Sequence, residues 1–213
     1  MPKKILVVVG TRPNFIKVTR FKEVAAGYRN LEVKIVHTGQ HFDSKMAEVF
    51  FQQFSLTPDF FLNITSASAN TQMAQIMLGL EKLISEYNPD LLVVVGDVNS
   101  TFAAALTANK TNTKLAHIES GLRSFDKTMP EEHNRILTDE IADYFFITEQ
   151  SGIDHLIAEG KPKDKLFFTG NTMIDTMVKF SSEIEESNVF QEHSLVEKKY
   201  VLMTMHRPAT VDT

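Results

Sequence analysis

The sequence contains no cysteine, which excludes a disulfide framework and any thiolate metal site and favours a reducing compartment. It has no apolar run near the roughly 20 residues that cross a bilayer. The apolar start, residues 5–10, is short and leads into Thr11-Arg12-Pro13 without a small-residue cleavage site, so a buried first strand is expected rather than a signal peptide. A cytoplasmic protein is the expectation, with no membrane partner. Positive charge is not in excess: the formal net charge is -5 and the pI about 5.8. The chain therefore lacks the basic footprint of a nucleic-acid binder, and a phosphorylated ligand would have to be held by a local cluster. The glycine turn after the first strand lacks G-x-G-x-x-G spacing, which argues against a dinucleotide fingerprint. Internal repeats and low-complexity segments are also missing.

What is present is a chain of 213 residues, 43% hydrophobic and 23% charged, enough for one generous core or for one domain plus part of another. Continuous apolar runs predict strands buried on both faces at residues 5–9, 33–37, 91–95, 114–118, 144–148, 165–169 and 200–204. Between them the pattern predicts helices over 14–26, 43–54, 68–87, 100–110, 131–141, 150–159 and 171–182. This alternation implies an α/β fold, a doubly wound and mostly parallel sheet with right-handed crossovers. Residues 1–180 form the expected Rossmann-like domain. The acidic stretch 181–199 reads as a linker or solvated helix, and 200–213 as the start of a further, truncated domain.

Open sheets of this kind bind ligands beyond the carboxyl ends of their strands. There the sequence places Gly10-Thr11-Arg12-Pro13-Asn14, Thr38-Gly39-Gln40-His41, Gly96 to Thr101, Glu119 to Arg123 and Gly170-Asn171-Thr172. Arg12 falls at a helix start, where free N–H groups favour an anion, and Lys17 adds charge one turn on; a tight turn with two solvated cations explains them equally well. Asp97 could serve as a general base, a hydroxyl acceptor or a metal ligand. No paired carboxylate or histidine stands beside it at ligand spacing, which weakens the metal reading, and Asn99 or Ser100 can fill the helix-cap role. Glu119, at a strand end, must be paired, hydrogen-bonded or used, and an ion pair with Arg123 or Arg12 is the structural alternative. Glu131 and Glu132 follow Pro130 at a helix start, so one of them is expected to serve only that helix. His41 and His206 stand in post-strand loops, whereas His37, His133, His155 and His193 read as surface or core residues.

Taken together, Gly10-Thr11-Arg12-Pro13, Thr38 to His41, Gly96 to Thr101, His117 to Arg123, Pro130 to Arg135, Gly170 to Asp175 and His206-Arg207 resemble the non-hydrolysing UDP-N-acetylglucosamine 2-epimerases. The resemblance implies a GT-B architecture of two Rossmann-like domains, this chain supplying the N-terminal one and the opening strand of the second. It implies inversion at C2 of a UDP-N-acetylhexosamine (UDP-GlcNAc to UDP-ManNAc) by elimination and re-addition of UDP, in the service of cell-envelope polysaccharide synthesis. A UDP-sugar would be the partner, with no metal and no redox cofactor, a homodimer for the full-length protein, and almost no turnover by these 213 residues alone. By motif, Arg12 and Lys17 resemble substrate-contacting cations, Asp97, Glu119 and Glu131 the acid/base groups, and His206 a group near the departing diphosphate. Asn14 stands where many members have Glu and is left outside the acid/base set. Gln40-His41-Phe42-Asp43, and a stretch 63–71 without arginine, depart from the second UDP-sugar site that regulates some bacterial members. The short segment between Arg123 and Pro130 resembles a branch that includes epimerases of diacetamido-uronic acids. A GT-B glycosyltransferase is the further alternative.

Overall fold

The computed structural model describes residues 1–39, 53–54, 56–64 and 68–205. The chain divides into two compact units, Met1–Thr176 and Met177–Thr213. The first is built on a sheet of β1 (Lys3–Val9), β2 (Leu31–His37), β3 (Phe60–Phe61), β4 (Leu91–Val95), β5 (Leu115–Ile118), β6 (Tyr144–Ile147) and β7 (Leu166–Phe168). Their order is β3-β2-β1-β4-β5-β6-β7, and every pairing among the described residues is parallel. Helices α1 (Arg12–Val18), α2 (Phe21–Ala25), α3 (Ala69–Tyr87), α4 (Asn99–Lys110), α5 (Pro130–Ile141) and α6 (Gln150–Ala158) connect the strands, and α7 (Thr172–Lys179) follows β7. This is the doubly wound α/β sheet expected, one Rossmann-like half of a GT-B architecture.

Side chains alternate along each strand, so an apolar run buries itself on two sides. From β1, Leu6 and Val8 pack with Ile76 and Leu80 of α3 and Ala104 and Ala108 of α4. Val7 and Val9 point the other way, onto Phe15 and Val18 of α1. Truncating one of the fully buried members, such as Leu92 to Ala, would cost about 2–5 kcal/mol. Helix α3 is closed at both ends: the Ser68 hydroxyl accepts from Thr71 N–H at 3.2 Å, and Asn88, left-handed at φ 51°, donates its N–H to Ile84 O at 2.8 Å. No helix among the described residues is long and apolar enough to cross a membrane.

Three local expectations differ from what forms. The single helix expected over 14–26 is two, because Ile16 O, the acceptor an unbroken helix would offer to Arg20, takes the Thr176 hydroxyl at 2.6 Å; the Thr19 hydroxyl in turn donates to Thr176. Phe60–Phe61 was not expected as a strand, being two residues long just after Pro58, yet it pairs with Val36 and His37. Residues 200–204 form no strand: no neighbouring segment among the described residues offers a ladder, and Val201, Leu202 and Met203 are exposed. In the second unit the acidic stretch folds as two short exposed helices, α8 (Ser181–Glu185) and α9 (Val189–Glu192). Most of the helix expected over 43–54 lies outside the described residues, as do His41 and His206.

Candidate functional site

After β1 the chain turns to β2 on one side, and the later strands add on the other, so the order reverses between β1 and β4. A crevice at the carboxyl ends of these two strands is the ligand position such a sheet offers. The β1 turn is locked by Asn14, which is buried: its Oδ1 accepts from Gly10 N–H (3.3 Å), Thr11 N–H (3.2 Å) and the Thr11 hydroxyl (3.0 Å), while its Nδ2 donates to Val95 O (3.1 Å) at the end of β4. Asn14 is thus spent on joining the two strand ends, and its neutral amide is no acid/base group. Arg12 lies exposed at the first position of α1.

Glu119 closes β5 with a left-handed backbone, φ 71°, a conformation that a non-glycine residue holds only when its surroundings fix it. Phe146 O fixes it by accepting both Glu119 N–H (3.0 Å) and Ser120 N–H (3.2 Å). The Glu119 carboxylate forms an ion pair with Lys17 of α1 through Oε2, the two side chains 20% and 11% exposed. Its partner is therefore neither Arg123 nor Arg12, the two suggested by sequence proximity and motif. Gly96, at φ 68°, lies directly beneath this pair: a β-carbon there would stand 3.3 Å from Glu119 Oε2 and 3.6 Å from Lys17 Nζ.

Asp97 is held by α5. Its Oδ2 pairs with Arg135 Nη2, its carbonyl accepts Asn134 Nδ2–H at 2.9 Å, and Arg135 Nη1 donates at 2.8 Å to Glu132. Glu132 is 1% exposed and also accepts Ser124 N–H (3.0 Å) and Phe125 N–H (2.9 Å). Burial pushes its carboxyl up, but the two backbone donors and Arg135 outweigh that and hold it below the ordinary carboxylate range. Glu132 stands in the first turn of α5, as expected of one of the two glutamates, and in addition clamps the turn at 124–125. Glu131 is exposed on the first turn of α5, with no side-chain hydrogen bond or ion pair to the described residues.

Behind these loops lies a charged network that sequence reading did not single out. His117 of β5 and Asp139 of α5 are fully buried, 2.6 Å apart at Nδ1 and Oδ1. Asp139 Oδ2 accepts Gly121 N–H (3.0 Å) and Arg123 Nη1–H (2.7 Å), and Arg123 reaches both oxygens of Glu159 (2.8 and 2.6 Å). Burial pushes the Asp139 carboxyl up, yet His117 and Arg123 together hold it low. Arg123 is thereby committed to structure. The available sequence signal was the spacing of Glu132, Arg135 and Asp139, which falls on one helical face. Other histidines are accounted for: His37 is buried in a stack against Phe15 (5.1 Å), His155 holds Gly121 O (2.8 Å) and His133 holds Lys127 O (2.9 Å). Among the described residues no three His, Cys, Asp or Glu side chains converge as a metal site would require.

The chemistry on offer is proton transfer beside anion binding: Asp97 and Glu119 at adjacent strand ends, each against a cation, with Glu131 and Arg12 exposed on the flanking helix starts. The family model described as UDP-N-acetylglucosamine 2-epimerase matches residues 24–213. A UDP-N-acetylglucosamine 2-epimerase homolog of Methanococcus maripaludis is 40% identical over 213 residues, covering 98% of this chain and 58% of the relative. The UDP-2,3-diacetamido-2,3-dideoxy-D-glucuronate 2-epimerase of Pseudomonas aeruginosa is 37% identical, covering 98% and 59%. The crystal structure of the Methanocaldococcus jannaschii UDP-GlcNAc 2-epimerase in complex with UDP-GlcNAc and UDP superposes with a TM-score of 0.89 at 37% identity, over 99% of this chain and 58% of that one. The chain thus spans a little over half the length of the relatives it matches.

Proposed function

Since the chain belongs to the UDP-N-acetylglucosamine 2-epimerase family, we propose that the protein inverts C2 of a UDP-N-acetylhexosamine, interconverting UDP-GlcNAc and UDP-ManNAc. The observation that carries this reading is the placing of Asp97 and Glu119, each paired with a cation, at the ends of the adjacent strands β4 and β5. A C2 proton has no neighbouring carbonyl to acidify it, so its removal must accompany departure of UDP. A carboxylate takes the C2 proton, the electron pair of that bond forms the C1=C2 double bond, and the C1–O bond electrons leave with UDP. Re-addition of UDP at C1 and delivery of a proton to the opposite face of C2 complete the inversion. Two ring faces call for more than one acid/base group, and Asp97, Glu119 and Glu131 are the proposed set. Lys17 and Arg12 are the proposed anion contacts, since both stand on the helix that opens at the β1 turn. His206 is the proposed neighbour of the departing diphosphate. The homodimer implied by the family is part of the same proposal, and light scattering tests it.

Incubating the full-length protein with UDP-GlcNAc in deuterated water tests the reaction. Deuterium at C2 of both sugars is expected; a folded protein that exchanges no C2 proton in any UDP-HexNAc refutes the proposal. A second reading, a UDP-diacetamido-uronic acid as substrate, is favoured by the Pseudomonas relative, whose 37% identity equals that of the Methanocaldococcus UDP-N-acetylglucosamine 2-epimerase. Offering both substrates in competition separates the two.

A further inference from the structure

Two of the acid/base residues proposed above, Asp97 and Glu119, sit on neighbouring loops, and a buried histidine joins these loops. His117 contributes nothing to the crevice surface, being 0% exposed on β5. Its Nε2 lies 2.8 Å from Gly96 O, and its Nδ1 2.6 Å from Asp139 Oδ1. A carbonyl oxygen only accepts, so Nε2 carries the proton of the first bond. Gly96 is the residue between β4 and Asp97 and has a left-handed backbone, φ 68°. Glu119, also left-handed, lies between His117 and Gly121, and Gly121 N–H is bound to the same Asp139 that holds His117. The imidazole therefore fixes the direction of the Gly96 carbonyl from below, while its carboxylate partner fixes the far side of the Glu119 turn.

We infer that His117 is a positioning residue, which sets Asp97 and Glu119 in one frame by tying Gly96 O to the Asp139-anchored β5 turn, without itself touching the reactants. The inference rests on the epimerase reading for its rate effects but not for its geometry. A purely structural alternative exists: His117 would serve only as one partner, beside Arg123, of the buried Asp139, since removing a partner from a buried charge is costly.

Two substitutions in the full-length protein separate these roles. The amide nitrogen of Asn can take the place of Nδ1, and that of Gln the place of Nε2. His117→Asn thus keeps the Asp139 contact and cuts the Gly96 tie, and His117→Gln does the reverse. Expected for H117N is a fall in kcat of about tenfold to a hundredfold, the scale of a small misplacement of catalytic groups, with KM for the UDP-sugar changed less than about threefold. H117Q is expected to stay within about threefold of the parent in both parameters although its Tm falls, because the buried Asp139 loses one partner and keeps only Arg123 and Gly121 N–H. If H117Q is as slow as H117N, or H117N turns over normally, the inference is overturned. Amide hydrogen exchange over residues 94–102 and 117–123 reads the tie without any substrate: acceleration in H117N but not in H117Q supports it, and unchanged exchange in H117N overturns it. A parent protein inert towards every UDP-HexNAc, but showing that exchange pattern, would remove the reaction reading and leave the positioning role standing.

Discussion

Glu131 and Glu132 are adjacent in sequence, and replacing each by Gln should have opposite consequences. Glu132 presents two carboxylate oxygens to three donors, Ser124 N–H, Phe125 N–H and Arg135 Nη1–H, at 1% exposure. Gln offers one oxygen, and its NH₂ group must face a donor, so at least one part-buried backbone N–H loses its acceptor, at about 1 kcal/mol. Arg135 also loses one of its two carboxylates, and removing one partner of a buried pair costs about 3–5 kcal/mol in all. For a domain of this size each kcal/mol moves Tm by about 2–4 °C. Glu132→Gln should therefore lower Tm by about 6–20 °C at neutral pH, read by circular dichroism. The folded Glu132 carboxyl titrates below its ordinary 4.5, so its contribution is fully present above that value and is lost as pH falls through the folded pKa. The Tm gap between parent and variant should close over that acidic window. Glu131 is exposed and unpaired among the described residues, so Glu131→Gln should leave stability within about 0.5 kcal/mol. On the epimerase reading it should instead cut kcat about 10²–10⁴-fold. A Tm change under about 2 °C for Glu132→Gln, or a gap that persists at acid pH, would refute the clamp assigned to Glu132.

Glu119→Gln in the full-length protein should reduce turnover by about 10²–10⁴-fold while UDP affinity, measured by calorimetry, stays close to that of the parent; parallel loss of both would make the Lys17 pair structural only. Gly121 has φ 79°, and a β-carbon there would lie 2.3 Å from Gly152 O, so Gly121→Ala should destabilise the protein by more than about 2 kcal/mol in urea unfolding. A loss below about 0.5 kcal/mol would contradict the close approach of the β5 turn to α6. His37 is 2% exposed, and burial lowers its pKa to about 4. Its ring should stay neutral at pH 5.5 in nitrogen-detected NMR. The unfolded ring protonates near 6.5 and the folded ring only near 4, so this residue's share of stability is full above 6.5 and shrinks as pH falls towards 4. A ring half-protonated near pH 6.5 in the folded protein would show that His37 is not packed as described.

Most of the sheet was legible because a strand buried on both faces needs no alternation: Leu91 to Val95 is apolar throughout, with both faces covered by helices. What escaped was decided by distant partners. Nothing local distinguishes Thr19-Arg20 as a helix break, since the acceptor is taken by Thr176, 160 positions beyond Ile16. A two-residue strand such as Phe60–Phe61 carries too little period to read, and a segment such as 200–204 can be apolar without a ladder to join. In the crevice the sequence marked Glu119, because an acid at a strand end is poorly explained by packing, and Asp97, because Asn99 or Ser100 can fill the helix-cap role beside it. It did not reveal that Lys17, 102 positions before Glu119, would be the cation beside it. Nor did it reveal that Asp139, which read as a helix residue, would carry a charge into the interior against His117 and Arg123. The surface acids are written in the loops, but their aim depends on α5: Glu132, Arg135 and Asp139 bind the 124–125 turn, Asp97 and His117 respectively. One helix face therefore references both strand ends, so a change on α5 that never meets the crevice can alter the geometry within it.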